Sequence, residues 1–251
     1  MSRDAPPKPG CLYLVGTPIG HLEDITHRAV RVLGEVNRVL AEDTRRARVL
    51  LDRYAISRPL SSFHEHNELR RLETVMKSLA SGERLALITD AGSPGISDPG
   101  FRLVREALRR GFRVESIPGP SAAITALQVS GLPTDQFLFR GFLPRKSGAR
   151  RRALEALSAC EATLVIYESP HRLAALLEEA AGVLGDRQAA VCRELTKLHE
   201  EVARGPLPEL ARRFAAGPVR GEIVVVIGGL GRGIGAGAEA DAADEDSGDA
   251  E

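Results

Sequence analysis

Short apolar runs alternate along the chain with stretches whose apolar residues recur every three to four positions. Glycine- and proline-rich turns separate them. Cys11-Leu-Tyr-Leu-Val15, Arg38-Val-Leu-Ala41, Leu85-Ala-Leu-Ile-Thr89, Phe112-Arg-Val-Glu-Ser-Ile117, Thr163-Leu-Val-Ile-Tyr167, Ala189-Ala-Val-Cys-Arg193 and Glu222-Ile-Val-Val-Val-Ile227 read as strands. Residues 59–63 read as extended. Helices are expected over 24–36, 45–54, 68–80, 101–110, 122–129, 153–159, 173–183 and 208–215. The first of these carries Ile25, Ala29, Val32, Leu33 and Val36 at helical period. Strands alternating with helices predict an α/β chain built on parallel or mixed sheet. The continuous apolar run 222–227 fits a strand covered on both faces.

The pattern changes at the breaker Gly131-Leu-Pro-Thr-Asp135, after which residues 136–144 hold three of the seven phenylalanines. The expected organisation is a flexible arm over 1–10, an α/β domain over 11–118, a second α/β domain over 119–230, and a disordered Gly/Ala/acid tail over 231–251. No apolar stretch reaches membrane-spanning length, and the first ten residues hold no hydrophobic signal core, so no membrane association is expected. Cys11, Cys160 and Cys192 are far apart, with no C-x-x-C spacing. Neither a disulfide framework nor a zinc site is expected, and a reducing cytoplasm is the predicted location.

The formal net charge is zero, but it is unevenly spread. Residues 1–232 hold all 34 basic residues and all but seven of the 34 acidic ones, an excess of seven positive charges. A basic body of this kind suits a polyanionic partner.

Four turns at strand carboxyl ends stand out: 16–20, 90–100, 118–121 and 167–172. In parallel sheets such turns gather on the ligand-binding side. The longest is Asp90-Ala-Gly-Ser-Pro-Gly-Ile-Ser-Asp-Pro-Gly100. Asp98 and Pro99 read as N-cap and first residue of the following helix, yet a cap alone does not need eleven residues. Pro118-Gly-Pro-Ser121 opens a helix whose first N–H groups suit a carboxylate, or is simply a helix start. No turn matches G-x-G-x-x-G or G-x-x-x-x-G-K-[ST], so neither a nicotinamide dinucleotide nor ATP hydrolysis is indicated. His64-Glu65-His66 lacks metal-ligand spacing and reads as a polar loop, so no metal is expected. Arg145, Lys146, Arg150, Arg151 and Arg152, beside Phe137, Phe139 and Phe142, suit RNA through phosphates and stacking, or form a solvated helix start next to a buried strand face. Glu168, His171 and Arg172 suit anion binding or proton transfer; alternatively Arg172 pairs with Glu168 or Glu179. Ser169 and Pro170 read as N-cap and first residue of the next helix.

Eight motifs in register carry a resemblance. Val15-Gly-Thr-Pro-Ile-Gly20 with Leu22-Glu-Asp24, Glu42-Asp-Thr-Arg45, Thr89–Gly100, Ile117-Pro-Gly-Pro-Ser-Ala122, Ser130-Gly-Leu132, Phe139-Arg-Gly-Phe-Leu-Pro144, Tyr167-Glu-Ser-Pro-His-Arg172 and Arg193-Glu-Leu-Thr-Lys197 resemble the bacterial small-subunit ribosomal RNA cytidine 2′-O-methyltransferases of tetrapyrrole methylase fold. The resemblance runs over about residues 11–229. It implies two α/β domains with S-adenosylmethionine (SAM) in a cleft between them, a homodimer, and methylation of a cytidine ribose in the decoding region of 16S rRNA within the small subunit. It also implies cofactor contacts at Gly92, Ser93, Pro94, Ile96, Pro118, Ser121 and Ala122, with Tyr167 and Glu168 flanking from the second domain. Many tetrapyrrole methylases carry Gly-Asp-Pro where this chain has Gly92-Ser-Pro94, which favours the RNA branch. The 2′-hydroxyl needs its proton drawn off; the candidate bases are Asp43, Glu168 and His171, with Lys197 or Arg172 as electrostatic helpers and RNA contacts beside the 145–152 run. The competing readings are a SAM-dependent methylase of a tetrapyrrole or other small molecule, and a non-catalytic RNA-binding module.

Overall fold

The computed structural model describes residues 10–97 and 100–231. The expected arm and tail lie outside the described residues except for Gly10 and Gly231, as do Asp98 and Pro99. The chain divides into two units, residues 1–121 and 122–251.

The first unit carries β1 (Cys11–Val15), β2 (Arg38–Ala41), β3 (Leu60–Ser62), β4 (Leu85–Ile88) and β5 (Arg113–Ile117), in the order β3-β2-β4-β1-β5. Every pairing is parallel, as in Leu12 opposite both Leu85 and Val114. α1 (His27–Glu35) and α2 (Thr44–Arg53) cover one face, where Leu33, Leu50 and Leu51 pack on Val39, Ala41, Ala86 and Ile88. α3 (Glu68–Ala80) and α4 (Phe101–Arg109) cover the other, where Met76, Leu79 and Leu103 pack on Leu12, Leu40, Leu85 and Leu87. Successive strand residues thus bury on opposite faces, which is why these runs are continuously apolar.

Capping sets where the helices begin. The helix expected from residue 24 starts at His27, because Thr26 turns extended and its hydroxyl accepts from the Ala29 amide at 3.1 Å. A separate 3-10 turn occupies Leu22–Asp24. Asp43 caps α2 by accepting from the Arg45 amide. α4 begins at Phe101 with Gly100 in the N-cap position at φ +134°.

The second unit carries α5 (Ala122–Ser130), β6 (Phe137–Phe142), α6 (Ser147–Glu155), β7 (Thr163–Glu168), α7 (Leu173–Leu184), β8 (Gln188–Arg193), β9 (Glu201–Pro206), α8 (Leu207–Ala215) and β10 (Ile223–Ile227). The sheet order is β6-β7-β10-β8-β9. Only β6 and β7 run parallel; β10 is antiparallel to both neighbours, as is β9 to β8. All five residues of β10 are buried, as its composition predicts for a central strand. α6, α7 and α8 join one core with Leu164, Ile166, Val191 and Val225, and α5 packs against β7, β8, β9 and β10.

Two local expectations are corrected. α7 starts at Leu173, as the expected range 173–183 has it, but its N-cap is Arg172 rather than Ser169: residues 169–172 form a turn in which the Arg172 amide donates to the Ser169 carbonyl at 3.0 Å. α6 occupies 147–155 rather than 153–159, so most of the basic run is helical. No described helix is long and apolar enough to cross a membrane.

Candidate active site

Three strand-end loops of the first unit are fastened into one platform. Gly16 continues from β1 and donates to the Ile117 carbonyl at the end of β5, at 3.0 Å. Thr17 and Gly92 exchange main-chain hydrogen bonds at 2.9 and 3.1 Å. The buried Thr17 hydroxyl accounts for the β4 end as well, donating within reach of the Thr89 and Gly92 carbonyls at 3.2 and 3.3 Å. Gly92 adopts φ +77° and Gly95 φ +84°, left-handed geometry that lets the loop double back after Thr89. Gly92 and Pro94 are buried, Ser93 is half-buried, and Ile96 at the tip is exposed. Pro118, Ser121 and Ala122 follow β5, Pro118 exposed and the others half-buried.

Beside this platform lies the point where the sheet's connections diverge. β2 and β4 are neighbours, yet α2 packs on one face and α4 on the other. A crevice must open at their carboxyl ends. The Asp90 carboxylate spans it, accepting from the Asp43 amide and pairing with Arg46, both at 3.1 Å. A cleft of about 680 Å³ opens there, lined by Glu42, His66, Glu68, Gly95, Ser97 and Arg102 among others. Its size falls within the usual ~300–1,000 Å³ of ligand pockets. Glu68 is buried and paired with Arg102 at 3.2 Å. Burial, aided by the Asp90 charge, pushes the Glu42 carboxyl above its ordinary range; the Asp90 amide, His64 and Arg46 oppose that shift. Glu42 was absent from the sequence-derived candidates, although it directly follows the apolar run of β2 and so obeys the strand-end rule used for the other loops.

The candidate bases meet different surroundings. Both Asp43 oxygens are held by Arg45, at 3.2 Å and 2.8 Å from its guanidinium. Arg45 keeps that carboxyl far below the ordinary carboxylate range, so it is a poor proton acceptor. Glu168 is enclosed, with one oxygen accepting from the Ser169 amide at 2.8 Å and the other 3.1 Å from Arg172, an ion pair that leaves Oε2 without an aligned hydrogen bond. His171 is exposed on the turn before α7. His64 serves its own turn, exchanging contacts with Asn67 at 3.0 and 2.9 Å.

Three of the expected RNA contacts are engaged within the fold. Arg150 is 4% exposed and grips Glu179 with two bonds of 2.8 and 2.7 Å, while Ser147 adds a third donor at 2.8 Å. Arg172 pairs with Glu168 and donates to the carbonyls of Leu143 and Pro144. Lys197 bridges Glu194 and Glu222 at 2.9 and 3.0 Å. Arg145, Lys146, Arg151 and Arg152 are exposed, with Arg151 paired to Glu155. At the adjoining end of β6, Phe142 is 57% exposed and stands edge-on to Tyr167, with ring centroids 5.8 Å apart. Phe139 packs on the same Tyr167 ring at 5.0 Å.

Residues 11–211 match the family described as Tetrapyrrole (Corrin/Porphyrin) Methylases. The chain is 47% identical over 220 residues to the ribosomal RNA small subunit methyltransferase I of Thermotoga maritima, covering 88% of this chain and 99% of that protein. It is 52% identical over 226 residues to the protein of the same name from Mesorhizobium japonicum, covering 89% and 77%. Among solved structures it resembles a uroporphyrin-III C-methyl transferase from Thermus thermophilus, complexed with S-adenyl homocysteine. That match has a TM-score of 0.63 and 21% identity, covers 87% of this chain and 97% of the other, and speaks to the fold. The doubly wound first sheet, the mixed second sheet and these relationships together mean that the chain belongs to the tetrapyrrole methylase family and, within it, to the ribosomal RNA small subunit methyltransferase I proteins.

Proposed function

We propose that this protein transfers the methyl group of SAM to the ribose 2′-oxygen of a cytidine in 16S rRNA, acting on the small ribosomal subunit. The observation that carries this reading is the 47% identity that runs through 99% of the Thermotoga maritima protein. The platform supports a nucleoside-bearing methyl donor: left-handed glycines bring main chain close to a ligand, and exposed Ile96 offers an apolar surface. In this reading Gly92, Ser93, Pro94, Ile96, Pro118, Ser121 and Ala122 hold the donor, and Tyr167 lends an aromatic face. The donor supplies an electrophilic methyl: the 2′-oxygen bonds to its carbon, the carbon–sulfur bond breaks with its electron pair on sulfur, and the hydroxyl proton passes to a base. Most of the rate then comes from alignment.

Arg145, Lys146 and Arg152, beside the exposed ring of Phe142, are the RNA-facing groups in this account; phosphates meet the cations and a base can stack on the ring. The excess of seven positive charges before residue 233 supports the same partner. We place the enzyme in the cytoplasm, where its substrate is assembled, and read it as a homodimer.

The test offers labelled SAM with unmodified small subunits, free 16S rRNA and a porphyrin precursor. Label in subunit RNA supports the reading. Label on the porphyrin alone overturns the substrate, and no label with any of the three overturns the enzyme.

A further inference from the structure

We infer that Glu42 is the catalytic base that takes the proton of the 2′-hydroxyl, and that the target nucleotide enters the cleft at the carboxyl ends of β2 and β4. This rests on the methyl transfer proposed above and assigns its base.

Position is the first argument. Gly95 and Ser97 line the cleft, while Gly92, five residues before Ser97 in the same loop, is tied to Thr17 on the platform. One short loop therefore joins the platform with its first half and lines the cleft with its second. On the donor placement proposed above, an acceptor in the cleft lies beside the methyl group.

The other carboxylates nearby are occupied or lie in the open. Four other carboxylates surround this end of the sheet. Asp43 is clamped by Arg45, Asp90 accepts from Asp43 and pairs with Arg46, and Glu68 is paired with Arg102. Glu65 is an exposed loop residue. Glu42 alone is both half-buried and, among the described residues, outside ion-pair contact with any Lys or Arg. Its surroundings are Asp90 on the β4 loop, His64 on the β3 loop and Arg46 on α2, with His66, Glu68 and Arg102 across the cleft. The raised proton affinity that burial and Asp90 confer moves the carboxylate toward the basicity a proton acceptor needs near neutral pH.

The proton balance closes within the chain. The Glu42 carboxylate accepts the hydroxyl proton as the oxygen–methyl bond forms and the sulfonium becomes a neutral thioether. The carboxylic acid then releases the proton to the solvent-open cleft, one per turnover.

The experiment compares Glu42→Gln and Glu42→Asp with the wild type in the full-length protein. Readouts are single-turnover methyl transfer to unmodified subunits against pH, SAM affinity by calorimetry and subunit binding. The Gln variant is expected to bind SAM and subunits as the wild type does, with methyl transfer slowed by about 10²–10⁴-fold and the acid limb of the rate profile gone. The Asp variant should recover part of the rate and keep an acid limb at shifted pH. A Gln variant that retains the wild-type rate overturns the assignment, as does an Asp variant whose acid limb is unmoved, the arm that decides should the Gln variant not fold. Failure of the wild type itself to label subunit RNA would instead overturn the functional reading beneath it.

Discussion

Gly16 and Gly119 meet backbone on backbone. A Cβ added to Gly16 would stand 2.7 Å from the Cα of Gly119, and one added to Gly119 would stand 2.8 Å from the Cα of Gly16. No side chain is there to swing aside, so the β1 and β5 loops can approach only while both residues lack a Cβ. Gly16→Ala and Gly119→Ala should each cost about 1–3 kcal/mol, as overpacking does. They should also weaken SAM binding by parting the platform. Chemical denaturation and calorimetry check both effects; an alanine variant as stable as the wild type, with unchanged SAM affinity, would show that the contact is not needed.

The basic run of α6 divides between fold and surface. Arg150→Ala strands Glu179 in a largely buried setting and should destabilise the protein by about 3–5 kcal/mol. Arg152→Ala should leave the melting temperature nearly unchanged and weaken binding to subunits. If Arg152 meets a phosphate, the salt dependence of binding should also flatten by about one unit of slope. Melting curves and binding titrations over a salt series separate the two; equal effects on stability would contradict the division.

Acid should report the same pair. Arg150, with Ser147, holds the Glu179 carboxyl below its ordinary 4.5. A depressed folded-state value means the unfolded chain binds the proton more readily. The pair's contribution is therefore full above about pH 5 and drains as pH falls through the folded value. The wild type should lose stability below that point more steeply than Glu179→Gln does, and parallel curves would count against the pairing.

Asp43→Asn should slow methyl transfer little, because Arg45 already occupies the carboxylate. The substitution keeps a capping oxygen, so stability should change by well under about 1 kcal/mol. A collapse in single-turnover rate with intact SAM binding would restore Asp43 as the base and displace Glu42.

Much of the fold is legible in local pattern. The apolar runs of β1 and β2 begin and end where the structure has them, because strands buried on both faces leave an unbroken signal. β9 escaped: Glu201–Pro206 mixes charged and small residues, and its place is set by pairing with β8. The second sheet's antiparallel centre is equally a matter of partners distant in sequence. The same blindness explains Arg150. Nothing in a run of arginines tells which one will meet a glutamate 29 residues away. Glu42 was hidden differently, since the neighbouring Asp43 has the more conspicuous capping pattern and the cleft exists only once β2 and β4 lie side by side.

The most direct test of the central claim is the identity of the methylated nucleoside. Small subunits lacking the modification are incubated with the protein and labelled SAM, and their 16S rRNA is digested to nucleosides and separated. The account predicts that the label elutes as 2′-O-methylcytidine from a single site in the decoding region. Label on a base carbon or nitrogen, or no label in the RNA while SAM is bound, would contradict it.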